Sequence, residues 1–412
     1  MHGIKVKILI VQNSDWLIRN PAQNHHLAEM LSLRGHEIRV IDFEVLWRTQ
    51  GKREFYSKRK IFRDVFKIHK RARVTVIRPG FIKIPLLDYF SLLFSFKKEI
   101  DQQIKEFAPN VIIGFSILAY LAGKAARRNH IPFVYYWIDV SHRLIPFRFL
   151  HLIGWMIERR TVKLADKVLT INEKLREFVI KIGASYKTTE VLRAGIDFKR
   201  FDATIKGDIV RRQLGFAEED IVLFFMGWLY RFSGLKEVAS QLAKFGKYRI
   251  KLLIVGEGDA YSELQQIREE LKLRGTLVLT GQKPYSQIPS LIAASDICLL
   301  PAYPDETVMH DIVPIKMYEY LAMGKPVVAT KLKGVMEEFG ENGGVVYVDK
   351  PEDVIGKVIE LDSNRLEDLK VKAIAIVKKY SWDNITDEFE RILREVIDEE
   401  KKGYHKTFAG LS

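Results

Sequence analysis

The stretch DIVPIKMYEYLAMGKPVVAT, residues 311–330, decides how this chain is read. Its apolar positions predict a helix starting at Pro314, a favoured first helical residue, and stopping at Gly324, with Pro326 beyond. Two charges interrupt that helix. Glu319 lies four residues after Ile315 and three before Ala322, so it shares their inward face and needs a hydrogen-bonding partner there. Lys316 is within reach, but Lys preceding Glu is the weaker orientation, and the helix dipole disfavours a cation in the first turn. An anion bound at the helix N-terminus would reverse that penalty. Asp311 precedes Pro314 by three residues and belongs to the loop. On these residues alone, an anion site and a core helix with one snorkelling ion pair both stay open.

Outward from this stretch, apolar runs alternate with helical patterns. VKILIV (6–11), EIRVIDF (37–43), VTVIRP (74–79), NVIIGFS (110–116), PFVYYW (132–137) and KVLTIN (167–172) form a first series. IVLFFMG (221–227), IKLLIVG (250–256), TLVLTG (276–281), DICLLPA (296–302) and GGVVYV (343–348) form a second. The runs are continuously apolar, as in sheets covered on both faces, and their alternation with helices predicts two doubly wound parallel-sheet α/β domains. FKRFDATIKGD (198–208) reads as the linker. In such a fold, ligands gather at the carboxyl ends of strands, which predicts binding in a cleft between the domains.

A length of 412 residues agrees with two domains, and 47% hydrophobic with 29% charged residues is ordinary for a globular protein. The single Cys298 excludes an internal disulfide framework and suits a reducing compartment. No run reaches the roughly 18 apolar residues of a membrane span, and no signal-peptide pattern precedes VKILIV. Charge is uneven: residues 1–200 hold 37 Lys and Arg against 18 Asp and Glu, the remainder 29 against 34. The densest block, Arg48–Arg73, has eleven basic and two acidic residues interleaved with Phe55, Tyr56, Phe62 and Phe66, and PLLDYFSLLFSF (85–96) follows. Such a surface implies an anionic partner, either membrane headgroups or nucleic acid; a solvated helix face is the plainer alternative.

The 311–330 stretch resembles the acidic-x7-acidic motif of retaining GT-B glycosyltransferases of family GT4 (glycosyl transferase group 1). The resemblance continues through RGHEIRVI (34–41), ERRTVKLADKVLTINEKLREFV (158–179) and VLRAGIDFKRF (191–201). It extends to LLIVGEGDAYSELQQ (252–266), VLTGQKPYSQIPSLIAASDICLLPA (278–302) and YSWDNITDEFERIL (380–393). It implies a GT-B fold with an acceptor-binding Rossmann-like domain at 1–203, joined by helices of 381–412 packing back. Residues 204–380 would form the Rossmann-like domain that binds the nucleotide-sugar.

By this resemblance Glu319 corresponds to the acid that binds donor ribose hydroxyls, and Asp311, where Glu is usual, to the acid facing the sugar. Ile312 and Val313 would offer backbone amides to the sugar and diphosphate, and Lys316 a cation. GWLYRFSGLKE (227–237) resembles the phosphate loop beginning at Gly227, but Trp228 and Ser233 stand where Arg and Lys are common. Arg231 is then the candidate phosphate ligand, or else a surface Arg. Gly256, in Gly256-Glu257-Gly258, reads as a tight turn beside the cleft or a purely structural one, and Gly281, Gln282 and Lys283 correspond to the base-binding segment. Asp139 aligns with the polar residue presented to the reaction centre, with His142 beside it, although Asp139 also suits a helix cap. Pro21-Ala22 replaces the glycine pair common after the first strand, leaving Asn20, Asn24 and His25 as acceptor-facing candidates.

The activity so implied is retaining transfer of a hexose-type sugar from a nucleotide-sugar to a glycan or lipid-linked acceptor at a membrane surface. No metal or other cofactor is expected, and no nucleic-acid partner; the expected location is the cytoplasm, peripheral on the cytoplasmic membrane face. Alternatives are a GT-B nucleotide-sugar epimerase or phosphorylase, and a non-catalytic nucleotide-sugar-binding protein.

Overall fold

A computed structural model describes residues 5–18, 21–44, 54–84, 87–138, 151–306, 309, 313–341 and 343–409. The chain forms two units, residues 1–193 with 382–412, and residues 194–381.

The first unit carries strands β1 (Lys7–Val11), β2 (Glu37–Ile41), β3 (Tyr56–Ser57), β4 (Lys60–Val65) and β5 (Val74–Arg78). They are followed by β6 (Phe81–Ile82), β7 (Val111–Phe115), β8 (Phe133–Trp137), β9 (Lys167–Thr170) and β10 (Thr189–Val191). Eight of these form one sheet in the order β10-β9-β8-β7-β1-β2-β5-β4, and β3 pairs with β6 as a separate ribbon. Pairing is parallel except at the β4 edge, which runs antiparallel to β5. All residues of β7 and β8 are buried, as a sheet covered on both faces requires. The chain order reverses between β1 and β7, which places the switch point at their carboxyl ends.

The second unit carries β11 (Ile221–Met226), β12 (Ile250–Val255), β13 (Leu277–Leu279), β14 (Ile297–Leu300), β15 (Val327–Thr330) and β16 (Val345–Val348). Its sheet is wholly parallel, in the order β13-β12-β11-β14-β15-β16, so its switch point lies between β11 and β14. Leu223, Leu252, Ile254 and Leu299 build the core with Leu235 and Val238 of the helix Leu235–Leu242. These two doubly wound α/β sheets are the predicted architecture.

Three details depart from expectation. The boundary falls at Arg193/Ala194, not 203/204, and the expected linker belongs to the second unit. There the Ile196 N–H donates to the Tyr380 carbonyl at 2.6 Å, and the Phe201 ring meets Tyr285 at 5.7 Å. The described part of the basic block forms strands β3 and β4, not a helix face, and the charged β4 lies at the edge of the sheet, paired antiparallel with β5. Pro314 is the residue before the helix Ile315–Ala322: its φ of −64° suits a helix, but its ψ of 139° is extended.

The last helix, Trp382–Ala409, completes the first unit. Trp382 stacks on His26 at 4.1 Å, Phe389 packs against Tyr136, and Glu390 takes ion pairs from Arg34 and Arg394. No described helix is long and apolar enough to cross a membrane.

Candidate active site

The loops at the carboxyl ends of β11, β12 and β13 meet through glycines. A β-carbon on Gly256 would collide with the Gly227 carbonyl oxygen, and the Gly256 N–H donates to the Gly281 carbonyl at 3.0 Å. Gly227 and Gly256 have φ of +122° and +143°, so both the conformation and the close approach require glycine. Gly234, with φ +68°, closes the same region, since a β-carbon there would strike the Pro301 carbonyl oxygen after β14. The switch point is thus a surface of bare backbone, brought together from loops far apart in sequence.

Into this surface runs the helix Ile315–Ala322, preceded by Pro314 and with no side-chain cap hydrogen bond among the described residues. Its other end has the expected form: Gly324 turns left-handed at φ +65°, and the Lys325 N–H donates to the Tyr320 carbonyl at 3.0 Å. Lys316 Nζ sits 4.1 Å from the centre of the Phe225 ring and 2.8 Å from where a β-carbon of Gly227 would stand. Glu319 is buried and accepts a hydrogen bond from the Tyr285 hydroxyl at 2.5 Å. The Arg200 guanidinium lies over the Tyr285 ring at 4.8 Å.

Burial pushes the Lys316 ammonium down to about 8, although the Glu319 charge opposes the shift. It pushes the Glu319 carboxyl up to about 7, against the Tyr285 hydrogen bond and the charges of Lys316 and Arg200. Both groups therefore stand near neutrality in a site whose backbone dipoles favour an anion beside Lys316. Chemically, the arrangement offers a cation and first-turn amides to an anion, and a carboxylate one helical turn away to hydroxyl groups.

The structure brings together Glu319, Lys316, Gly227, Gly256 and Gly281 among the residues singled out in the sequence. Val313 is buried immediately before the helix. Gln282 and Lys283 are exposed beyond Gly281. Arg231 is exposed, whereas Ser233 is buried and its hydroxyl donates to the Tyr230 carbonyl at 2.6 Å. Trp228, 53% exposed, donates its indole N–H to Asp259 at 3.3 Å. Asp311, Ile312, Asp139, His142 and Asn20 lie outside the described residues.

Asn24 and His25 need correction, because neither faces outward. Asn24 is buried and donates to Gln12. His25 accepts the Ala22 N–H at 3.2 Å through Nδ1, contacts the Trp16 carbonyl at 3.1 Å through Nε2, and packs on the Trp16 ring at 4.1 Å. Burial pushes its pKa down to about 4, so the ring is a neutral brace between Trp16 and Ala22. Tyr285 and Arg200 were missed: Tyr285 is 34 residues from Glu319, and no local pattern joins them. A second unanticipated cluster, Arg78 with Asp15 and Asp42, is buried at the carboxyl ends of β1, β2 and β5 and anchors the Trp16 N–H. No group of three or more His, Cys, Asp or Glu among the described residues could hold a metal ion.

Residues 207–380 match the family of glycosyl transferases group 1, and residues 23–200 match Glycosyltransferase Family 4. Together the two matches span most of the chain, which belongs to the family 4 (group 1) glycosyltransferases and has their GT-B fold. An uncharacterized glycosyltransferase of Methanocaldococcus jannaschii is 25% identical over 54% of this chain and 58% of its own. A putative teichuronic acid biosynthesis glycosyltransferase of Bacillus subtilis is 28% identical over 49% of this chain and 48% of its own. The match thus spans about half the length of these curated relatives. Anabaena HepE, solved in complex with UDP-glucose, superposes with a TM-score of 0.70 at 20% identity, covering 95% of this chain and all of that one.

Proposed function

We propose that this protein transfers a sugar, with retention of configuration, from a nucleotide-sugar donor to a glycan or lipid-linked acceptor in the cytoplasm. The observation that carries this reading is the convergence of Lys316, Glu319 and the glycine-lined switch point on one helix N-terminus. In this reading the donor diphosphate lies over the Gly227 loop, against Lys316 and the helix dipole. Glu319 accepts hydrogen bonds from two vicinal ribose hydroxyls while Tyr285 holds its carboxylate in place. The acceptor hydroxyl attacks the anomeric carbon on the face from which the diphosphate departs. Its proton passes to the leaving diphosphate, whose charge Lys316 and the helix N-terminus stabilise without a metal. Asp311 is assigned to the sugar hydroxyls.

The UDP-glucose complex of a protein with this fold makes uridine donors the first to try. A thermal-shift screen of UDP-, GDP- and ADP-sugars, followed by transfer assays with the best donor, tests the proposal. Glu319→Ala should weaken donor binding about tenfold or more, from loss of charge-assisted hydrogen bonds worth roughly 1.5–3 kcal/mol. Asp311→Asn should chiefly lower turnover. Full activity in both variants rejects the site. Trp228 and the buried Ser233 in the phosphate loop favour a second reading, a nucleotide-sugar sensor, which predicts donor binding without transfer.

A further inference from the structure

The first unit exposes an apolar face that its own core does not use. The helix Leu87–Phe107 buries Phe96, Ile100 and Phe107. On the other side, Leu87, Phe90 and Phe94 fall on one stripe at helical spacing, with the two phenylalanines 74% and 70% exposed. Lys97 and Lys98, both exposed, continue that stripe by one turn. Single exposed apolar residues are ordinary, but an aligned set is not.

The β3–β6 ribbon lies beside this helix, fastened to it at two points. The Ile82 N–H donates to Ser91 Oγ at 3.0 Å, and the Arg59 guanidinium donates to both Glu99 oxygens at 2.7 and 2.8 Å. Tyr56 and Ile82, paired on the exposed side of the ribbon, add apolar surface beside the helix, and Phe55 (74% exposed) stands at the ribbon's start. Lys58, Lys60 and Arg63, all exposed, follow β3 in the chain, the last two on the edge strand β4. Of the acidic residues nearby, Asp88 is buried, Glu99 holds Arg59, Glu54 pairs with Lys83, and Asp64 with Arg73.

We propose that this face seats the first unit on an anionic lipid bilayer, with the aromatic and aliphatic side chains at acyl depth and the lysines among the headgroups. Charge complementarity selects that occupant. A second copy would press two basic faces together, and a nucleic acid would leave the aliphatic Leu87 and Ile82 without a partner, whereas a bilayer takes the aliphatic, aromatic and basic side chains together. The inference deepens the transferase reading by placing a lipid-linked acceptor at this surface, yet its test needs no sugar transfer.

The test is flotation of the full chain with phosphatidylcholine vesicles, with and without phosphatidylglycerol, over a salt series. The expected result is binding to the anionic vesicles that weakens with salt. Phe90→Ser with Phe94→Ser should lower partitioning about tenfold or more. Lys97→Gln with Lys98→Gln should lower it roughly 30-fold, from about 1 kcal/mol per basic residue at an anionic surface. Both pairs are solvent-exposed, so melting and any donor-induced thermal shift should stay as in the parent protein. Failure to float with either vesicle, or unchanged flotation of the phenylalanine pair, overturns the proposal. A dimer dissolved by the phenylalanine pair, or nucleic-acid binding abolished by the lysine pair, overturns it equally when vesicles are not bound. If flotation holds while no donor shifts the melting curve, the donor-site reading fails and this one stands.

Discussion

Glu319 joins packing to chemistry because its carboxylate is buried with Tyr285 as hydrogen-bond donor and Lys316 as a neighbouring charge. Burial raises its pKa from 4.5 to about 7, so between those values the folded chain keeps a proton that the unfolded chain releases. Stability should therefore fall as pH rises across that window. Lys316, lowered from 10.5 to about 8, acts in the opposite sense at higher pH, where stability recovers between those values. Thermal melts of the parent and Glu319→Gln from acid to neutral pH check this. The parent should lose about 1–3 kcal/mol relative to the variant by pH 7, and a pH-independent difference would remove the buried carboxyl from the explanation. Tyr285→Phe in the same series should enlarge the loss, because the ionised carboxylate would have lost its hydroxyl donor.

At the scale of elements, the helix Ile315–Ala322 and the loops after β11, β12 and β14 act as one device. Gly234 shows how closely they are set: an alanine there would adopt a left-handed φ and strike Pro301. Gly234→Ala should destabilise by roughly 2–4 kcal/mol and weaken donor binding, by combining backbone strain with overpacking. Gly275→Ala is the comparison, with φ +78° but open space around its β-carbon, and should cost about 1 kcal/mol without touching donor affinity. Equal losses in chemical denaturation would mean that the approach to Pro301 is unimportant. The C-terminal end of this helix was legible in the sequence because Gly324 acts through its own backbone preference, whereas the helix starts one residue after the expected Pro314. The β3–β6 ribbon was not legible, because two-residue strands leave no alternation to read.

At the scale of the molecule, the chain leaves its first unit at Arg193 and returns to it at Trp382. Phe389 is buried against Tyr136 in the middle of that unit's sheet, so the returning helix is part of its core. Phe389→Ala should destabilise the first unit by about 3–5 kcal/mol. Donor affinity should be unchanged at temperatures where the chain is still folded, because the proposed donor residues belong to the second unit. A melt that separates into two transitions, with only the lower one shifted, is the expected outcome; a uniform shift would show that the two units unfold together.

The sequence by itself determined the two parallel sheets, since continuously apolar strands alternating with helices have few other ways to bury both faces. It also determined the helix Ile315–Ala322 and the uneven charge, which are local properties of composition and spacing. Only the tertiary structure decided that Tyr285 holds Glu319, that Lys316 stands over Gly227, and that His25 faces the Trp16 ring. Each of these joins residues from different loops or elements. Their meeting depends on strand order and close packing across the sheet, which no local pattern of residues encodes.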